Sequence, residues 1–182
     1  MKKLLLTLGL VAATSAQAQG TIQFANNAGT RFLINGVRAL GGAGRTEAGD
    51  FIFGVFAGST ADAISDQPAG PLGANTATGG LITAPNPDGY EIAGFESGAT
   101  VFLQFRGWES SFGSDWQAAR AGGLYGETAV RSVVLGYPGY GTAVWSSTEA
   151  DKFQAINLVP EPSTMVLAGV GTAGLLVFRR RR

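Results

Sequence analysis

The chain has 182 residues, of which 45% are hydrophobic and 10% aromatic, enough for one ordinary hydrophobic core. It contains no cysteine and no histidine, which excludes disulfides, thiolate nucleophiles, Cys/His zinc sites and imidazole bases. Most of its basic residues outside the two ends are scattered singly, and the region between the ends carries a net negative charge. Nucleic acid is therefore not expected as a partner.

The N-terminal residues 1–18 have the three parts of a secretory signal in the required order. Two lysines at residues 2–3 form the positive part, and residues 4–13 form an apolar stretch. That stretch is too short to cross a hydrocarbon core of about 30 Å as a permanent helix. Ala16 and Ala18 supply the small residues of a cleavage site. We therefore expect export through the Sec translocase and removal of this segment by signal peptidase.

The body between the two ends reads as a series of short strands. Turn residues separate runs of β-branched and aromatic residues, which is typical of an all-β domain. Asn35-Gly36 is a strong hairpin signal between residues 31–34 and 37–40, and the apolar run 51–56 predicts a buried strand. Further strands are predicted at residues 21–25, 90–94, 101–108, 128–135 and 153–159. With no helical period between them, these strands predict a single antiparallel β-sandwich domain over residues 19–158.

The predicted strand at residues 101–108 shows the most regular alternation in the chain. Leu103 and Phe105 lie on one face, and Gln104 and Arg106 lie on the other. Such alternation predicts one buried face and one face in water.

One short helix and one long loop region are also predicted. Ser114 begins a capping-box pattern, which predicts a helix over residues 115–121 that stops at Gly122 in the left-handed conformation. Residues 57–87 are rich in Gly, Ala, Thr and Pro and read as long loops, with a tight turn at residues 86–89.

The residue inventory leaves a carboxylate pair as the one catalytic pattern available, as in glycoside hydrolysis. Glu109 and Asp115 are the nominal pair, and the neighbouring Trp108 and Trp116 could stack on a sugar ring. Structural roles explain these residues better, because Asp115 suits the first turn of a helix and tryptophans suit packing. We therefore expect no enzyme activity and keep sugar contact by Trp108 and Trp116 as an alternative.

Two other kinds of site are weaker. A serine hydrolase lacks its G-x-S-x-G motif, and Lys152 is the only lysine of the body for a Ser-Lys dyad. Asp62, Asp66 and Asp88 carry oxygen ligands that calcium could use, but their spacing is not that of an Asp-rich loop. No cofactor and no metal is predicted.

The C-terminal residues 159–182 form the most specific feature of the sequence. A short motif, an apolar run at residues 165–178 and a basic terminus follow one another. The motif consists of Val159, Pro160, Glu161 and Pro162, and the basic terminus consists of Arg179, Arg180, Arg181 and Arg182. As a helix the apolar run would span about 21 Å, which makes it a marginal membrane anchor. The arginines would stay on the cytoplasmic side and place the body outside.

This order of motif, apolar run and basic terminus resembles the PEP-CTERM sorting signal of bacteria that make exopolysaccharide. The resemblance implies recognition by an exosortase, an integral membrane enzyme that processes such chains at or near the Pro-Glu-Pro motif. The two prolines would keep the segment extended, so that the bond to be processed is exposed outside the membrane. A plain single-pass anchor is the alternative.

The body also resembles a recurrent domain found with this kind of tail in Verrucomicrobia-like bacteria. Three segments carry the resemblance, at residues 53–58, 104–108 and 122–126, and the sequence departs from that pattern at Gly107. The resemblance bears on the fold and implies no activity.

Together these features predict an exported surface or extracellular-matrix protein with a transient inner-membrane stage. We expect a non-enzymatic structural or adhesive role linked to exopolysaccharide. A carbohydrate-binding module or carbohydrate-active enzyme is the alternative.

Overall fold

The computed structural model describes residues 18–39 and 47–160, and this part of the chain is mostly β-sheet with one short α-helix. The strands are β1 (Gln19–Gln23), β2 (Leu33–Ile34), β3 (Val37–Arg38), β4 (Phe51–Gly58), β5 (Gly73–Asn75), β6 (Ile82–Thr83), β7 (Tyr90–Glu96), β8 (Thr100–Glu109), β9 (Leu124–Glu127), β10 (Arg131–Val134), β11 (Thr142–Ala143) and β12 (Asn157–Pro160), and the helix is α1 (Trp116–Gly122). Single turns of 3-10 helix occupy Ala61–Ala63, Pro87–Gly89 and Ser110–Phe112.

Two sheets are formed. The larger and curled one has the order β3-β2-β12-β9-β8-β4-β5-β6, with β10 also paired to β8, and the smaller one has the order β11-β1-β7. Most neighbouring strands are antiparallel, but β12 runs parallel to β2 and β11 runs parallel to β1. The predicted all-β class is thus confirmed as a mostly β body with one short helix, and the purely antiparallel pairing is not found.

The main core lies between the two sheets. Leu103 and Phe105 on β8 are completely buried, as the alternation predicted. Phe24, which directly follows β1, packs on Phe105 with ring centroids 5.5 Å apart and on Tyr90 of β7 with ring centroids 4.8 Å apart. The smaller sheet is therefore held on the larger one by aromatic contacts.

The second face of β8 is also covered, so the prediction of one solvent-exposed face is wrong. Gln104 is only 8% exposed and Arg106 only 7% exposed. Helix α1 packs over this face, where Trp116 and Ala119 join a second apolar cluster. The alternation shows which side chains of the strand are polar, but it does not show that a helix packs over them.

The predicted hairpin at Asn35-Gly36 is confirmed, with positive φ angles of 53° and 78° at the two turn residues. Such a pair of angles is the type I′ turn that Asn-Gly favours. The helix prediction needs two corrections. Asp115, and not Ser114, caps the helix, which includes Gly122; the next residue, Gly123, caps its C-terminus with an extended φ of −126° instead of a left-handed one.

The long strand β8 shows which parts of the body lie at opposite ends. At one end, Thr100 pairs with Val134 of β10. Eight residues along the strand, Trp108 pairs with Tyr125 of β9, which in turn pairs with Val159 of β12. At a rise of about 3.3 Å per residue, these two ends are about 26 Å apart.

The start of the described chain lies at the Thr100 end. The backbone N–H of Ser97 donates to the Ala18 carbonyl at 3.0 Å, and Gln19 pairs with Glu96. The first strand therefore begins at the end of the body opposite to the exit of β12.

The predicted membrane and signal segments lie outside the described residues. This applies to residues 1–17 and to the apolar run at residues 165–178. Within residues 18–39 and 47–160, no helix has the length and apolar character needed to cross a membrane.

Candidate functional site

The two tryptophans predicted as sugar contacts are both interior residues. Trp108 is completely buried, and its indole N–H donates to the Gly113 carbonyl at 2.8 Å. Trp116 is 6% exposed, and its indole N–H donates to the Asp66 carbonyl at 3.0 Å. Neither ring presents a free face on which a sugar could stack in this structure. Their positions fit the packing role that the sequence analysis preferred.

Arg106 is the polar centre of this cluster, and sequence reasoning missed it. Its guanidinium carbon lies 4.2 Å from the Phe56 ring centroid and 4.1 Å from the Trp116 ring centroid. The cation thus contacts two aromatic rings that meet edge to face, with an angle of 73° between their planes. Cation–π contact of this kind is made more often by Arg than by Lys. The alternation at residues 101–108 had assigned this side chain to water.

The polar contacts of Arg106 are incomplete. Its Nε donates to the Gln104 side-chain oxygen at 2.9 Å and lies 3.7 Å from the Glu127 carboxylate. Its Nη1 lies 3.7 Å from the Asp66 carboxylate and has no hydrogen-bond partner among the described residues. A cleft beside the cluster is lined by Asp66, Trp116, Gln117, Arg120 and Ala121, and the buried Arg106 is not part of that lining. The ion pair between Arg106 and Asp66 therefore connects the loop that contains Asp66 to strand β8.

The nominal carboxylate pair has structural partners. The Glu109 carboxylate accepts from the Leu124 backbone N–H at 3.2 Å. The Asp115 carboxylate accepts from the Ala118 backbone N–H at 2.9 Å, which caps helix α1. Both bonds satisfy backbone donors at the two ends of the same short helix segment. The absence of enzyme activity stays a prediction.

The three aspartates considered for calcium are not brought together. Asp62 and Asp88 lie in separate 3-10 turns, and Asp66 faces Arg106. Within the described part of the chain, no three Asp or Glu side chains form a group that could hold a metal ion.

Two exposed tyrosines form a surface feature that the sequence analysis did not single out. Tyr137 is 67% exposed and Tyr140 is 85% exposed. They flank a tight turn in which the Tyr140 N–H donates to the Tyr137 carbonyl at 2.9 Å and Gly139 has a φ of 82°. Proline followed by glycine at the centre is the signature of a type II turn. The Tyr-Pro-Gly-Tyr sequence at residues 137–140 could have predicted this turn and the two tyrosines that flank it.

The body joins the C-terminal motif through the last strand, β12. Leu158 of β12 is completely buried, and its carbonyl accepts from the Asn35 N–H at 2.9 Å. The next two residues, Val159 and Pro160, pair with Tyr125 and Leu124 of β9. The first half of the predicted sorting motif is therefore part of a sheet.

Of the remaining sequence-predicted site residues, one lies within the described part of the chain. Ala18 is described and exposed, beside Ser97. The others lie outside the described residues, namely Ala16, Glu161, Pro162, Arg179, Arg180, Arg181 and Arg182. The predicted domain boundary between residues 158 and 159 falls in the middle of β12.

Fold and junction together define a mostly β body whose last strand continues directly into a Pro-Glu-Pro sequence. The family model of the PEP-CTERM protein-sorting motif matches residues 158–182. The resemblance is thereby confirmed, and the chain carries the signal of an exported protein sorted through the membrane by exosortase. No curated protein and no solved structure shows significant similarity to the chain. The resemblance of the body to a known domain therefore stays a prediction.

Proposed function

We propose that this chain is a non-enzymatic structural or adhesive component of the cell surface or extracellular matrix. A signal peptide at residues 1–18 directs its export, and residues 165–178 hold it transiently in the inner membrane. Exosortase then processes it at the Pro-Glu-Pro motif and releases a β-sandwich body to an exopolysaccharide-containing matrix. The match of the sorting motif at residues 158–182, directly continuous with a folded β body, is the observation that carries this proposal.

Three features of the body support a role without catalysis. The carboxylates Glu109 and Asp115 cap or anchor backbone, and the aromatic cluster around Arg106 is closed by packing. The chain contains no histidine and no cysteine to act as base or nucleophile.

The sorting step is tested by cell fractionation in two strains that differ only in the exosortase gene. With the enzyme, we expect the body outside the membrane fraction and without residues 165–182. Without it, we expect a chain that still ends at Arg182 in the membrane fraction. Glu161→Ala should reduce processing in the first strain, whereas the matched surface variant Glu149→Ala should not. Release of a chain that still ends at Arg182 in both strains would contradict the proposal.

A carbohydrate-binding module is the second candidate, and Tyr137 and Tyr140 favour it. Exposed aromatic rings on a rigid turn can stack on sugar rings with little loss of side-chain entropy. These two rings are accessible, unlike Trp108 and Trp116.

Binding to purified exopolysaccharide distinguishes the two candidates. A binding module should lose at least tenfold in affinity in Tyr137→Ala and Tyr140→Ala. The control Val134→Ala, also an exposed apolar residue, should bind as the wild type does. A structural body without a sugar site should show no difference among the three variants.

A further inference from the structure

We propose that the end of the body at which β12 leaves the sheet is the face that lies against the lipid surface while the tail is inserted. This inference rests on the proposed function, because it requires the apolar run at residues 165–178 to enter the membrane. In this orientation of the body, the exposed side chains of Val37 and Val159 face the lipid.

The first argument is the length of the chain between the sheet and the apolar run. Pro160 is the last residue of β12, and only residues 161–164 separate it from Met165. Even fully extended, this connection spans no more than about 18 Å. The opposite end of the body, at Thr100, is about 26 Å further along β8. The short connection therefore keeps the β12 end near the membrane.

The second argument is the rigid hold on β12. Leu158 is completely buried, and the strand is paired on both sides, with β2 and with β9. The Gly36 N–H donates to the Asn157 side-chain oxygen at 2.8 Å. The last described residue, Pro160, is therefore held at a fixed place at the β12 end of the sheet. Pro160 and Pro162 further restrict bending of the connection.

The third argument is the apolar character of this end. Val37 is 66% exposed and Val159 is 40% exposed. They lie on β3 and β12, which are separated by β2, because Val37 pairs with Ile34, which pairs with Leu158. Two of the five exposed large apolar side chains of the described residues are thus beside the exit of the tail. Apolar side chains at this position suit contact with the boundary between lipid headgroups and acyl chains.

Val134 provides a matched reference position. It is a strand valine with 55% exposure, comparable with Val37, and it pairs with Thr100 at the other end of β8. The chain has no cysteine, so Val37→Cys and Val134→Cys each create a single labelling site in the full chain.

The test uses the two variants in the form that follows removal of the signal segment, residues 19–182, each labelled with a fluorophore and reconstituted into vesicles of phosphatidylethanolamine and phosphatidylglycerol. A fraction of the lipids carries a nitroxide quencher on the headgroup. Vesicle flotation establishes insertion, and circular dichroism establishes that both variants fold. We expect quenching at position 37 to be at least twofold stronger than at position 134.

A third sample contains the Val37→Cys variant with a twenty-residue Gly/Ser linker inserted after Pro160. In this sample quenching at position 37 should fall towards the value at position 134, because the body is no longer held near the lipid. Equal quenching at the two positions in floating vesicles, or stronger quenching at 134, would overturn the inference and leave the proposed function standing. Failure of residues 19–182 to float with vesicles would contradict both.

Discussion

At the scale of single residues, Arg106 shows how a charged side chain becomes part of a core. Its guanidinium contacts the rings of Phe56 and Trp116, while Gln104, Glu127 and Asp66 provide the polar groups around it. Burying a cation is costly unless aromatic faces and polar groups replace water.

Arg106→Lys should therefore destabilise the body by about 1–2 kcal/mol, because an ammonium group is more strongly hydrated and lacks the Nε donor that bonds Gln104. Arg38→Lys, at an exposed position of β3, should leave stability unchanged. Urea unfolding of a fragment spanning residues 19–160 measures both changes. Equal midpoints for the two variants would show that these contacts contribute nothing.

Two buried tyrosines give the body a dependence on alkaline pH. Burial raises the pKa of Tyr90, and burial together with the hydrogen bond to Glu127 raises the pKa of Tyr125. In the unfolded chain a tyrosine ionises near pH 10. The folded state keeps the protonated form at higher pH, so stability is complete below about pH 10 and falls as the pH rises above it.

Unfolding midpoints in urea at pH 8 and pH 11 test this dependence. The wild type should be clearly less stable at pH 11, and the drop should be smaller in Tyr90→Phe. Tyr137→Phe removes an exposed hydroxyl and should leave the drop unchanged. A drop of the same size in Tyr90→Phe as in the wild type would contradict the assignment to buried tyrosine.

At the scale of secondary-structure elements, β12 joins the body to the sorting motif. It fills the space between β2 and β9 in the larger sheet. Gly126 on β9 allows this close approach, because an added Cβ would collide with the Asn157 carbonyl oxygen. A side chain at this position would push β12 away from its neighbour.

Gly126→Ala should destabilise the body by about 1–3 kcal/mol, as expected for overpacking against backbone. Gly122→Ala is the matched control, since the added Cβ meets no atom within 4 Å at the end of helix α1. Thermal unfolding of the two variants gives the comparison. A stable Gly126→Ala variant would mean that β12 is not held against β9.

Truncation tests the same element directly. A fragment of residues 19–160 retains β12, whereas residues 19–156 lose Leu158, whose side chain is completely buried. Loss of a buried Leu alone costs about 1.5–3 kcal/mol of hydrophobic stabilisation, to which the lost pairing adds. We expect the shorter fragment to unfold at lower urea concentration. Equal stability of the two fragments would show that β12 does not contribute to the stability of the core.

The sequence predicted the elements whose signals are local. The Asn35-Gly36 turn, the apolar run of β4 and the alternation of β8 were all found. The strands β5 and β6 were missed within the loops predicted at residues 57–87, because they are short and Gly73 gives no strand signal. Burial of Arg106 was missed for a different reason. It depends on the packing of helix α1 on β8, and the alternation within β8 does not show this tertiary contact.

At the scale of the whole molecule, the chain enters and leaves the body at opposite ends of strand β8. The first strand starts near Thr100, and the last strand leaves near Trp108, about 26 Å away along β8. The signal peptide would be removed before Gln19 and the tail after Pro160. The two new chain termini would thus lie at opposite ends of the body. The processed body would keep every strand of the described part, because β12 ends where the remaining half of the motif begins.

The mass of the protein released by a host that contains exosortase tests the central claim most directly. Intact-mass analysis should find a chain that has lost residues 165–182 and ends near Glu161 or Pro162, so that β12 is complete. Glu161→Ala should lower the yield of this species, and Glu149→Ala should not. Recovery of released protein that still ends at Arg182, or that ends before Pro160, would contradict the account.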